Sequence, residues 1–159
     1  HRQVIEEKVH HGSRGGIGLD CMSCLIALAF SVEAISNFVG AKTVPEWNER
    51  DSYRAKTTQL GGKLGFVFDD KVEPFETLMR IKTIRDQLAH GKPIESRQDE
   101  SSREMFERAM MCPWDEYLDA NFVLHAYEQV IKFKELLLTQ AKIPLHETLT
   151  CGGGVWIDP

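Results

Sequence analysis

Apolar positions recur along this chain with the 3.6-residue period of a helix and nowhere with the strict alternation of a strand, so the pattern predicts an all-α protein. The strongest stripe is Leu25, Leu28, Val32, Ile35 and Val39, widened by Ile26, Ala29 and Phe30. It predicts a largely buried helix from an N-cap at Asp20 to a stop at Gly40. Pro45 opens a weaker helix over about 46–60, whose only large apolar residues are Trp47, Tyr53 and Leu60, with Gly61, Gly62 and Gly65 ending it. Phe66, Val67 and Phe68 form a short apolar run before a turn at Asp69 and Asp70. A third helix begins at Pro74 and carries Phe75, Leu78, Ile81, Ile84 and Leu88, stopped by Gly91 and Pro93. Residues 92–102 are polar and read as a surface loop. The last helix is interrupted near Pro113 and runs mainly from about Trp114 to Lys142, with Leu118, Phe122, Ala126, Val130, Phe133 and Leu137 on one stripe. The expected fold is therefore an up-and-down bundle of four to five helices closed by a long C-terminal one. Residues 1–18, polar and then glycine-rich, read as a flexible lead-in; 19–142 form the helical domain; 143–159 form a tail with one short extended piece.

Size and charge narrow the functional classes. At 159 residues, with 42% hydrophobic and 27% charged residues, the chain suits one domain that buries its own core. Its net charge of −5 argues against a protein that binds nucleic acid by bulk charge, though not against a small basic site. Four cysteines are too few for a disulfide scaffold and suit a reducing, cytoplasmic setting. Cys21 and Cys24 lie on an apolar helix with no second pair beside them, so they read as core residues rather than zinc ligands. Glu6 and Glu7 in the first ten residues do not suit a secretory leader. Glu33 and Asn37 interrupt the apolar stretch 21–39, which reads as a buried helix rather than a membrane span.

Candidate chemistry concentrates at the end of the third helix, Ile84-Arg85-Asp86-Gln87-Leu88-Ala89-His90-Gly91-Lys92-Pro93. Between Met79 and Lys92, four bases (Arg80, Lys82, Arg85 and Lys92) face one acid, Asp86. Asp86 and His90 fall about 40° apart on a helical wheel, on one face. Arginine offers a planar fork of donors to phosphate oxygens, and histidine exchanges a proton near neutral pH. Asp86 suits an orienting partner for Arg85 or His90. The same residues also suit a plain helix C-terminus, where a cation is favoured by the helix dipole. Glu33 and Asn37, one turn apart, read either as polar support facing Arg85 or as the solvent side of their helix. His125 reads as a core or interface histidine, and Gly61-Gly62-Lys63 as a helix stop rather than a phosphate loop.

The Arg-Asp-x-Leu-Ala-His-Gly run at the end of a bundle helix resembles the signature of the HEPN superfamily (higher eukaryote and prokaryote nucleotide-binding domains): an arginine, a polar residue, then a histidine after a short gap. The first helix, from Leu25 to Asn37, and the helix order resemble these domains too, over about residues 19–142. The resemblance implies a metal-independent endoribonuclease without cofactor, a toxin or defence effector, acting as a homodimer in which two motifs share a cleft. His90 would assist proton transfer as an RNA 2′-hydroxyl attacks the adjacent phosphate, Arg85 would steady the developing charge, and Asp86 would support them. The products would be a 2′,3′-cyclic phosphate and a 5′-hydroxyl. Arg80, Lys82 and Lys92 would bind RNA phosphates, and Glu33 and Asn37 would stand behind Arg85. Partners would be RNA, a second copy and a protein antitoxin or regulator, with no membrane. Some family toxins carry a tyrosine two residues after the histidine, a target of modification; here that residue is Lys92, which does not suit that regulation. Other family members are inactive dimerisation or binding modules, which is the alternative expectation.

Overall fold

A computed structural model describes residues 1–90 and 114–148. Its described residues form five α-helices and no strand: α1 (Arg2–His10), α2 (Ile17–Thr43), α3 (Tyr53–Leu64), α4 (Phe75–Ala89) and α5 (Ala120–Ala141). Single 3-10 turns span Asp115–Tyr117 and Leu145–Thr148. The all-α bundle expected from the sequence is present. The loop expected at 92–102, the Gly91 and Pro93 stop, the break at Pro113 and the extended piece in the tail all lie outside the described residues.

α2 is the central helix: it packs on each of the other four, most extensively on α5 and then on α4. By length and composition it is apolar enough to cross a membrane. In this bundle it instead buries Cys21, Cys24, Leu25, Leu28, Val32 and Val39 against its neighbours. Burial raises the pKa of both thiols, as suits core cysteines. α4 contributes Phe75, Leu78, Ile81 and Ile84, and α5 contributes Val123, Ala126, Val130, Phe133 and Leu137, which are the predicted stripes. Phe75 joins the layers: it stacks on Phe66 at 5.8 Å and meets Phe68 and Phe133 edge-on. The run 66–68 thus turns two rings inward and leaves Val67 exposed.

Several boundaries differ from expectation, each for a local reason. The lead-in contains α1, whose Ile5 is fully buried. One inward residue carries no periodicity, and α1 is tied down by long-range contacts instead. Arg2 lies over the Tyr127 ring at 4.7 Å, and Lys8 pairs with Asp20. Asp20 is therefore an ion-pair partner in the first turn of α2 rather than its N-cap. Gly40 does not end α2, which continues to Thr43. It lies under the Trp47 indole, where a Cβ would come within 2.3 Å of ring carbons. The weak helix starts at Tyr53 because Ser52 caps it, its hydroxyl accepting from the Ala55 N–H at 3.2 Å. It runs through Gly61 and Gly62 to a left-handed C-cap at Gly65, φ 83°. The long helix begins at Ala120, not Trp114, because the Asp119 carboxylate accepts from the Phe122 N–H at 3.0 Å.

Candidate functional site

The site is built where α2, α3 and α4 meet. Apolar residues on the inner face of α4 press it against α2, so Lys82 and Arg85, one turn apart, emerge along the seam. A small cleft of about 10 Å³ opens there, among the side chains of Glu33, Tyr53, Lys82 and Arg85 over an apolar floor that includes Val32 and Ile81. Arg85 is about one-third exposed, with a side-chain value of 34%. Its Nη1 lies 3.0 Å from Asp86 Oδ1 in an ion pair, while its Nε is covered and has no partner among the described residues. Lys82 also pairs with Asp86, so two cations share one carboxylate.

His90 is the C-cap of α4 and is exposed. Its backbone N–H donates to the Asp86 carbonyl at 2.9 Å. Asp86 therefore orients Arg85 and Lys82, and meets His90 through the backbone alone. Arg80 points elsewhere: it pairs with Glu76 at 2.6 Å and lines a separate surface recess with Asp70 and Tyr117. Lys92 lies outside the described residues. Of the two described residues expected to hold phosphate, Lys82 adjoins Arg85 and Arg80 does not.

Glu33 borders the same cleft as Arg85, one helix away, so it is not simply the solvent side of α2. Asn37 lies one turn on, its Nδ2 3.5 Å from Glu33 Oε1, and does not line the cleft. The main partner of Glu33 is a residue that sequence reasoning missed. Lys56, on α3, is 1% exposed and its ammonium pairs with Glu33. A lysine is almost never fully buried unless paired. Tyr53, also missed, is 5% exposed, and its hydroxyl has no hydrogen-bond partner among the described residues. Burial drives its pKa far up, with the neighbouring Thr57 hydroxyl opposing, so it stays a protonated donor. The signal for both lay in the low apolar content of the weak helix, whose buried face is partly polar: Tyr53, Lys56, Thr57 and Leu60.

His125 is exposed rather than in the core, and its Nε2 lies 3.1 Å from Glu73 Oε1. Burial pushes the Glu73 carboxyl up, but hydrogen bonds from Thr77 and from His125 outweigh it, and its pKa falls below the usual value. This pair lies at the start of α4, at the opposite end of that helix from Arg85 and His90.

Beside the cleft, α2 leaves an uncharged, mixed face uncovered. Leu19 is 69% exposed and Phe30 61%, with Ser23, Ala27, Ser31 and Ala34 also exposed. No charged side chain interrupts it between Asp20 and Glu33. Comparison with protein-family models, with curated proteins and with solved structures gave no match.

Proposed function

We propose that this chain is a HEPN-like, metal-independent endoribonuclease acting as a homodimer. The observation that carries the reading is the seam itself. It presents a part-exposed arginine, steadied by Asp86 and adjoined by Lys82, on the helix that ends in an exposed histidine. In this reading His90 accepts the proton of an RNA 2′-hydroxyl as it attacks the neighbouring phosphorus, and the bond to the 5′-oxygen breaks as that oxygen takes a proton from solvent to leave as a 5′-hydroxyl. Arg85 donates to the phosphoryl oxygens as charge builds on them. Lys82 draws the backbone toward the seam, and Asp86 sets the plane of the guanidinium. A second copy would bring two such seams together across the face of α2 that exposes Phe30. A role as a toxin or defence effector, held by a protein antitoxin in the cytoplasm, belongs to the same reading.

A second reading has its own support. Asp86 offsets half of the charge on Arg85 and Lys82, and the chain is acidic overall, which favours the non-catalytic alternative, a dimerisation or interaction module, over a nuclease. Incubating total RNA in EDTA with wild type, Arg85→Ala and His90→Ala separates the two. The nuclease reading expects cleavage by wild type and a loss of about 100-fold or more in each variant. Equal cleavage by all three, or none by a folded dimeric wild type, overturns it in favour of the module.

A further inference from the structure

We propose that the groove between α2 and α5 is a docking site for the chain's own C-terminal segment, residues 149–159, with Val155, Trp156 and Ile157 against its apolar floor and Asp158 beside Lys134. α2 and α5 pack together more extensively than any other two helices, yet along one edge they leave a groove of about 420 Å³. Ile35 and Phe38 line it from α2, and Tyr127 and Ile131 from α5. All four are part-exposed, so the core does not use up their apolar surface. A second trough, of about 670 Å³, shares Ile131 and Lys134 and runs on to Ile143 and Pro144. Concavities of this size, mostly apolar with few polar groups, have the make-up of binding sites.

Position, reach and chemistry select the occupant. After α5 the chain turns back through Leu145–Thr148 to α2, where Glu147 pairs with Lys42 in the last turn of that helix. Thr148 itself lines the groove, so the residues that follow it start there. Trp156 is eight residues beyond Thr148, an extended reach of about 26 Å. The α2 side of the groove, from Leu28 to Phe38, is only about 15 Å long at the helical rise. The segment 149–159, which lies outside the described residues, carries one run of large apolar residues, Val155-Trp156-Ile157, and one charge, Asp158. Among the described residues lining the groove, the one charge is the cation Lys134, and no ion pair among the described residues engages it. A tryptophan offers about 150–250 Å² to bury, and a short tether holds its segment at about millimolar effective concentration, so a modest contact is well populated. Ser31 and Ala34 line the groove and also belong to the α2 face given above to a second copy. A docked segment would therefore border that interface.

The test reads NMR contacts in the whole 159-residue chain and does not depend on RNA cleavage. NOEs are expected between the Trp156 indole protons, assigned by their absence in Trp156→Phe, and the Ile35 methyl groups. In Ile131→Asp they are lost, while helical content and a cooperative melt persist. Should that variant fail to fold, Asp158→Lys tests the same contact. It weakens the NOEs without abolishing them, because an exposed ion pair contributes little, and adding Lys134→Glu to it restores them. A wild type without these NOEs overturns the proposal, and so do NOEs of unchanged strength in a folded Ile131→Asp. Unchanged NOEs in Asp158→Lys overturn the place given to Asp158. NOEs found only between labelled and unlabelled chains in a mixed sample would put a second copy's segment in the groove and overturn docking within one chain.

Discussion

Gly40→Ala sets two effects of opposite sign against each other. An alanine in a helix interior is favoured over glycine by about 0.5–1 kcal/mol, and Gly40 lies inside α2. On that ground alone the substitution stabilises. But the new Cβ would lie 2.3 Å from Cδ2 and Cε2 of Trp47 and 2.5 Å from Cζ2. Carbon atoms pack at about 3.5–4.0 Å, so the indole must retreat by about 1.2 Å or more. The ring is rigid and packs against the core, and overpacking of this kind costs typically about 1–3 kcal/mol. With a clash this deep the upper end applies, and the net effect is destabilisation of about 2 kcal/mol. For a chain of this size that is a fall in melting temperature of about 4–8 °C. Thermal and urea melts followed by circular dichroism measure it, and tryptophan fluorescence reports the displaced ring. In a Trp47→Ala background the same glycine substitution is expected to be neutral or stabilising, because only the helix preference remains. A melting temperature that rises in the single variant refutes the reasoning, since it would mean that the indole does not cover Gly40.

Other outcomes follow from the ion pairs and the core. Glu33→Ala leaves the Lys56 ammonium buried and unpaired and is expected to cost about 3 kcal/mol, the lower end for a broken buried pair because Glu33 is itself part-exposed. Lys56→Met is expected to lie within about 1 kcal/mol of wild type by the same urea melts, so equal losses in the two variants would contradict the pairing. Ile5→Ala, in α1, is expected to cost about 2–4 kcal/mol, and a value near zero would mean that α1 does not dock. Glu73 has a folded-state pKa below its ordinary 4.5, so its contribution is present above that value and is lost as pH falls through the folded-state pKa. The stability difference between wild type and Glu73→Gln should therefore shrink as melts are taken from pH 6 to pH 3, and a constant difference would contradict the assignment.

How far the sequence revealed this molecule depends on where the physics is local. The cores of α2, α4 and α5 were legible because each buries a stripe that repeats every three or four residues. α1 was not, since a helix held by Ile5 and by contacts with Tyr127 and Asp20 has almost no periodicity of its own. Gly40, Gly61 and Gly62 were misread as stops because glycine also serves close approach. A Cβ on Gly40 would meet Trp47, and one on Gly61 would meet the Phe66 carbonyl at 2.5 Å. Ser52 and Asp119 are ordinary caps that stronger neighbouring signals obscured. At the site, Arg85 and Asp86 were legible as neighbours on one helix. Glu33 was legible as a polar residue out of place on an apolar one. Lys56 was not, because nothing local marks a lysine as buried; only the carboxylate 23 residues earlier makes that burial tolerable.

The most direct test of the proposed chemistry uses an RNA oligonucleotide in which the bond that the wild-type protein is proposed to cut has been mapped. A single 2′-deoxy substitution at the nucleotide 5′ to that bond removes the attacking hydroxyl and nothing else. The account predicts that this bond is no longer cut in EDTA while others still are, and that every product ends in a 2′,3′-cyclic phosphate facing a 5′-hydroxyl. Cleavage that persists at the deoxy position, leaving a 3′-hydroxyl, would contradict it.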